Sequence, residues 1–189
     1  MLALVSGPTA TGVVLVEGIS DKVALETLAT RRGRNLAAEA VSIVPIGGAQ
    51  AIGRSLERFG PRGLDLRLAG LCDAPEERHF RRALERAGLG SDLTRTEMEQ
   101  LGFYVCVANL EDELIRAVGR ADVERIIEDE GDLGSFRTYQ KQLAHRERTA
   151  EEQLWGFMWN RKQRYARLLV EALDLSRVPR PLDGVLAHV

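Results

Sequence analysis

The stretch Val13-Val-Leu-Val-Glu-Gly-Ile-Ser-Asp21 decides the fold. Four apolar residues run into a glutamate, a glycine turn follows, and an aspartate opens an amphipathic helix predicted over residues 22–29. A short apolar, β-branched run without polar alternation reads as a strand buried on both faces, as in a parallel sheet. Glu17 then stands at the carboxyl end of that strand, where open α/β sheets gather their ligand sites. A carboxylate there needs a partner, because an unpaired buried charge is costly. A divalent cation is one such partner.

Two later stretches repeat the pattern. Leu66-Arg-Leu-Ala-Gly-Leu-Cys-Asp73 is an apolar strand ending in an aspartate, and Phe103-Tyr-Val-Cys-Val-Ala-Asn-Leu-Glu111 is an apolar run closing on an acid. A further strand, predicted over 41–46, ends in Gly47-Gly48, which permits close approach of backbone or ligand. Acids at the ends of three β–α units are expected to meet on one rim. Oxygen donors without a histidine cluster suit Mg²⁺ or Mn²⁺ rather than zinc. Asp21 either joins them or simply complements the dipole of the helix it opens.

Helices are predicted near 49–58 and 76–87, and Thr94-Arg-Thr-Glu97 fits a capping box for a short helix. Alternation of this kind implies a parallel sheet with helices on both faces. Beyond residue 110 no strand pattern recurs. Helices are expected over 110–118, 121–129 and 135–143, then one long helix over 149–173, with Pro179 and Pro181 ending regular structure. The chain therefore divides into an α/β unit, residues 1–120, and a helical extension, residues 121–189.

With 189 residues, 44% of them hydrophobic, the chain can bury a sizeable core. The net charge of −2 gives no global nucleic-acid signal. Of the 26 basic residues only Lys22, Lys141 and Lys162 are lysines, an arginine bias we attribute to nucleotide composition. Charge is uneven along the extension: residues 108–132 hold nine acids against three basic residues, and residues 134–167 hold eight basic residues against three acids. That is either a solvated helical surface or an acidic metal site flanked by a basic wall that meets phosphates. Cys72 and Cys106 fall in apolar runs and read as reduced core residues. No apolar stretch approaches membrane-spanning length, and Met1-Leu-Ala-Leu-Val5 lacks the basic start of a signal peptide, so the cytoplasm is expected.

Lys162 lies three or four residues from Met158, Trp159, Tyr165 and Ala166, in the middle of an apolar helical face. Lysine is seldom buried. It either snorkels its ammonium to water or aims it at a phosphate, where it stabilises charge or protonates a leaving oxygen. Trp155 and Trp159, an i,i+4 pair, are expected in the core rather than as a base-stacking platform, Asp112 and Glu113 in solvent, and Ser20 as a helix cap. His79, His145 and His188 lack metal-ligand spacing. Gly7-Pro-Thr-Ala-Thr-Gly12 has P-loop glycine spacing, but Val13-Val14 replaces the lysine and hydroxyl residue and opens a strand, so a P-loop is rejected.

These motifs carry a resemblance. Val14-Leu-Val-Glu-Gly-Ile-Ser-Asp21 resembles the opening motif of Toprim domains, the metal-binding fold of topoisomerases, primases and certain nucleases, and Ala69-Gly-Leu-Cys-Asp73 resembles their aspartate strand. Leu110-Glu-Asp-Glu-Leu114 and Lys162-Gln-Arg-Tyr-Ala166 resemble the Leu-Glu-x-x-Leu motif and the lysine-bearing helix of the OLD (overcoming lysogenization defect) nucleases. The resemblance implies metal-dependent hydrolysis of DNA phosphodiesters, with Glu17, Asp21, Asp73 and Glu111 holding one or two Mg²⁺ or Mn²⁺ ions. Glu17 and Lys162 would be the catalytic residues. Toprim domains carry Asp-x-Asp on the aspartate strand; here Ala74-Pro75 follows Asp73, and Glu76 or Glu77 come one or two residues late, at a helix start. OLD nucleases carry an N-terminal ATPase, for which this chain has no room, so a separate ATPase partner is implied. A small Toprim ribonuclease that matures structured RNA, and a non-catalytic binding module serving an ATPase, are the alternatives.

Overall fold

The computed structural model describes residues 10–189. The segment 7–12, rejected as a P-loop, therefore lies partly, and the start of the chain wholly, outside the described residues.

Four strands form one parallel sheet in the order β2-β1-β3-β4: β1 (Gly12–Val16), β2 (Val41–Pro45), β3 (Arg67–Cys72) and β4 (Phe103–Val105). Val14 and Val16 point to one face, where α1 (Ile19–Arg31), α5 (Leu110–Val118), α8 (Ala150–Met158), α9 (Lys162–Ala172) and α10 (Arg180–His188) supply the facing apolar residues. Val13 and Leu15 point to the other, against α2 (Ile52–Phe59), α3 (Glu77–Arg86) and α4 (Arg95–Gln100). Every residue of β1 is buried, which is why its sequence is apolar without alternation. Thr94 Oγ1 accepts from the Glu97 N–H at 3.2 Å and Glu97 accepts from the Thr94 N–H at 2.7 Å, so the capping box forms as read.

Gly70 makes the β3–β4 contact possible. A Cβ there would lie 2.6 Å from Cδ1 of Phe103, which is itself 1% exposed. Gly70→Ala is expected to destabilise the protein by about 1–3 kcal/mol through overpacking, a fall in Tm of roughly 2–10 °C. Differential scanning calorimetry would check this, and an unchanged Tm would show that Phe103 shifts without cost.

The helical part departs from expectation at two places. The predicted long helix is two, α8 and α9, joined by a 3₁₀ turn at Trp159–Arg161. An unbroken helix would carry Arg161 and Lys162 into the apolar stripe formed by Leu154, Phe157, Met158 and Tyr165. The tighter 3₁₀ winding turns both cations out of it. Pro179 and Pro181 do not end regular structure; they open α10, with proline preset for the first turn. Buried Leu182, Val185 and Leu186 then seat α10 on the core. Arg31 of α1 donates to the carbonyls of Val170 and Leu173, capping the C-terminus of α9 and tying it to the sheet layer. The remaining helices, α6 (Arg120–Asp129) and α7 (Leu133–Lys141), complete the cluster through Val123, Ile127 and Phe136.

Candidate functional site

Glu17 is the first residue past β1 and Asp73 the first past β3. The two strands are hydrogen-bonded neighbours with Val16 opposite Leu71, so both acids leave the sheet side by side. The Asp73 N–H donates to Glu17 Oε1 at 2.9 Å. The chain leaves β1 towards the α1 face and leaves β3 towards the α3 face. Strands whose connections diverge in this way open a crevice between them, at the switch point of the sheet.

The two remaining acids are held at this edge by hydrogen bonds to the backbone at or beside them. Asp73 Oδ1 accepts from the N–H of Leu110, the first residue of α5, at 3.2 Å, so the start of α5 docks on Asp73 and delivers Glu111. Asn109, a cap absent from the expectations, accepts from the Asp112 N–H at 2.9 Å and sets where α5 begins. Asp21 Oδ2 accepts from the Gly18 N–H at 2.8 Å, folding the first turn of α1 back over the end of β1. Ser20 lies inside that turn and does not cap it; no side chain does, and Gly18 stands at the cap position. Gly47 and Gly48, at φ of 78° and 105°, turn their N–H groups onto the Glu17 carbonyl at 3.2 and 3.1 Å. The double glycine thus serves a close backbone approach.

The edge is electrostatically loaded. Burial pushes Asp21 up to about 7, with Glu111 and Glu17 adding to the rise. Burial likewise pushes Asp73 up to about 7, reinforced by Glu17, Asp21 and Glu111. Glu17 is raised by burial and by Glu76. Between about pH 4 and 7 the folded protein holds protons on Asp21 and Asp73 that the unfolded chain has released. Stability of the metal-free protein is therefore expected to fall as pH rises through that window. Melting in EDTA at pH 5.5 and 8.0 checks the sign, and a higher Tm at pH 8.0 would contradict it.

Lys162, the first residue of α9, meets these acids. Its Nζ lies 3.3 Å from Glu111 Oε1 and 3.4 Å from Oε2. Glu111 is 2% exposed, and its Oε1 makes no hydrogen bond despite that approach. The ammonium also sits 4.0 Å from the centroid of the Trp159 ring. Asp132 anchors the first turn of α9, accepting from the Tyr165 hydroxyl at 2.9 Å and from Arg164 at 3.1 Å.

Several expectations are corrected. Glu113 is buried, not in solvent: it accepts from the Val107 N–H at 2.7 Å and pairs with Arg116 at 3.0 Å, fixing the loop after β4. Trp159 is 51% exposed, not core, and Trp155 is half-buried against it with ring centroids 4.8 Å apart. Half of the basic run of the extension, four of its eight residues, is spent on its acidic run. Arg137 pairs with Glu124, Arg164 with Glu130 and Asp132, and Lys162 with Glu111. Of the two candidates for the second acid of Asp-x-Asp, Glu77 is taken by Arg81 and Arg95, while Glu76 faces His79 at 3.7 Å.

Among the described residues no three His, Cys, Asp or Glu side chains are gathered closely enough to form a ready metal cage. The donors nevertheless suit a hard cation. They are all carboxylate oxygens, three of them are held against their own repulsion, and Glu111 presents an oxygen with no hydrogen bond. Among the described residues no helix is long and apolar enough to cross a membrane.

Comparison with known proteins agrees with this architecture. Residues 9–74 match the family model described as the Toprim domain of overcoming-lysogenization-defect-like proteins. No curated protein matches the chain. Among solved structures, the C-terminal region of the Burkholderia pseudomallei OLD protein superposes with a TM-score of 0.75 at 19% identity, covering 95% of this chain and 96% of that one. The C-terminal region of the Xanthomonas campestris pv. campestris OLD protein gives 0.76 at 22% identity, covering 95% and 92%. Residues 9–74 thus resemble an OLD-like Toprim domain, and the chain as a whole has the fold of OLD C-terminal regions.

Proposed function

We propose that this protein hydrolyses DNA phosphodiesters with Mg²⁺ or Mn²⁺ held by Glu17, Asp21, Asp73 and Glu111. The observation that carries this reading is the loaded carboxyl edge. Three acids with raised pKa and a fourth buried against a lysine line the edge where β1 and β3 diverge. Such strain in an otherwise well-packed fold is what a cation would relieve. When bound, the ion supplies Lewis acidity towards a phosphoryl oxygen and a water of lowered pKa. Because its ligands must be deprotonated, binding should tighten as pH rises through about 7.

The chain's own residues divide the remaining work. Glu17, fixed by the Asp73 N–H through one oxygen, keeps its other oxygen for the ion or for a proton of the attacking water. Lys162, beside Glu111, would offer its ammonium to the phosphate, stabilising the developing charge or protonating the leaving oxygen. The division into an α/β unit (1–120) and a helical extension (121–189) is then functional: the first supplies the acids, the second the lysine. We place the protein in the cytoplasm, where the buried Cys72 and Cys106 stay reduced, and an ATPase is a fitting partner.

Supercoiled plasmid incubated with Mg²⁺ or Mn²⁺ should be nicked or linearised, and EDTA should stop it. Intact plasmid beside cleaved structured RNA would favour the ribonuclease reading. Neither substrate cleaved would leave a binding module.

A further inference from the structure

A tryptophan half in water forfeits much of the free energy its burial would bring. Trp159 does so on the 3₁₀ turn that precedes Lys162, with its ring already in contact with the ammonium that meets Glu111. Among the described residues it is the one aromatic ring in the set of exposed large hydrophobic side chains. Two others of that set belong to the same edge of the sheet: Ile19, two residues past Glu17, at 47% exposure, and Val107, on the loop between β4 and α5, at 66%. Beside the ring lies an open cleft of about 560 Å³, lined by Trp159, Asn160, Arg161, Lys162, Gln163 and Arg164. A half-exposed ring with a cation over it and amide side chains beside it suits a flat, polar-edged heteroaromatic ring on an anionic backbone. Aliphatic protein surface would not use the amides or the lysine.

We infer that Trp159 is a stacking platform for an unpaired nucleobase next to the scissile phosphate, so that the site takes single-stranded or locally opened DNA in preference to intact duplex. The inference rests on the nuclease reading for its substrate class. Bases in a duplex hide their faces in the stack, whereas a single strand presents them, and every base has a face to offer. The preference would therefore be for strandedness and would tolerate any sequence.

Binding of fluorescein-labelled dodecathymidylate, alone and annealed to dodecadeoxyadenylate, is measured by anisotropy in Ca²⁺, which screens the rim acids. Trp159→Ala and Trp159→Leu should each weaken single-strand binding about 5- to 150-fold, the loss of one base–aromatic stack. Duplex binding should stay within about twofold, and Trp159→Phe should recover most of the loss. The leucine variant keeps an apolar side chain without a ring, so a merely structural tryptophan would leave it near wild type. Equal losses on single strand and duplex, a wild-type Kd in the leucine variant, or no single-strand binding by the wild type would each overturn the inference. Plasmid cleavage by the wild-type protein is scored separately, so a strand preference without turnover would sink the nuclease reading and leave the platform standing.

Discussion

Replacing Asp73 by asparagine is expected to abolish metal-dependent cleavage while leaving the fold intact. The amide oxygen can still accept from the Leu110 N–H, so the docking of α5 survives. The strand end is set by buried Leu68, Ala69, Leu71 and Cys72, none of which the substitution touches. The negative charge is what disappears. A metal's contribution of several kcal/mol to the transition state, at tenfold per 1.36 kcal/mol, puts the loss at about 10³-fold or more. The stability of the metal-free protein should move the other way at pH 8, because one of four mutually repelling acids is gone. Loss of activity with a gain in Tm is the signature of a residue kept for function at the expense of stability. Undiminished cleavage by a cleanly folded variant would remove Asp73 from the site.

Lys162→Met should lower cleavage about 10²–10³-fold, the usual effect of deleting one electrostatic stabiliser of a transition state, without weakening metal binding. Methionine keeps the unbranched apolar stem. It leaves Glu111, 2% exposed, with no cation beside it. An uncompensated buried charge destabilises the metal-free state, so the variant should melt lower in EDTA and gain more than the wild type on adding Mn²⁺. Rate and metal-induced stabilisation thus change in opposite directions. A lysine that only snorkels would leave the rate near wild type.

What the sequence made legible, and what it hid, follows from the range of the interactions involved. β1 was readable because burial on both faces demands an unbroken apolar run. The edge position of Glu17 and Asp73 followed directly, since both are the first residues after such runs. The Thr94 cap was readable because its two hydrogen bonds are local. The break at Trp159–Arg161 was not, because no Gly or Pro marks it. It answers a tertiary demand, keeping Arg161 and Lys162 out of the apolar stripe. Glu113 looked like a solvent-facing member of an acidic run, and only the fold brings the Val107 N–H to it. The prolines at the start of α10 carry the same signal whether they stop a helix or start one, and the apolar residues after them had to be weighed as a core-facing turn. The intramolecular use of the basic run was hidden for a similar reason, since residues as far apart as Glu111 and Lys162 pair only once α5 and α9 pack.

The central claim is that Glu17, Asp73 and Glu111 jointly hold a divalent ion at the carboxyl edge of β1 and β3. Crystals soaked in Mn²⁺ and measured at the manganese absorption edge test it most directly. The account predicts an anomalous peak at that edge, with carboxylate oxygens of at least two of these residues roughly 2–2.6 Å away, and its loss in Asp73→Asn. Manganese bound elsewhere, or cleavage-competent crystals with no peak at the edge, would contradict it.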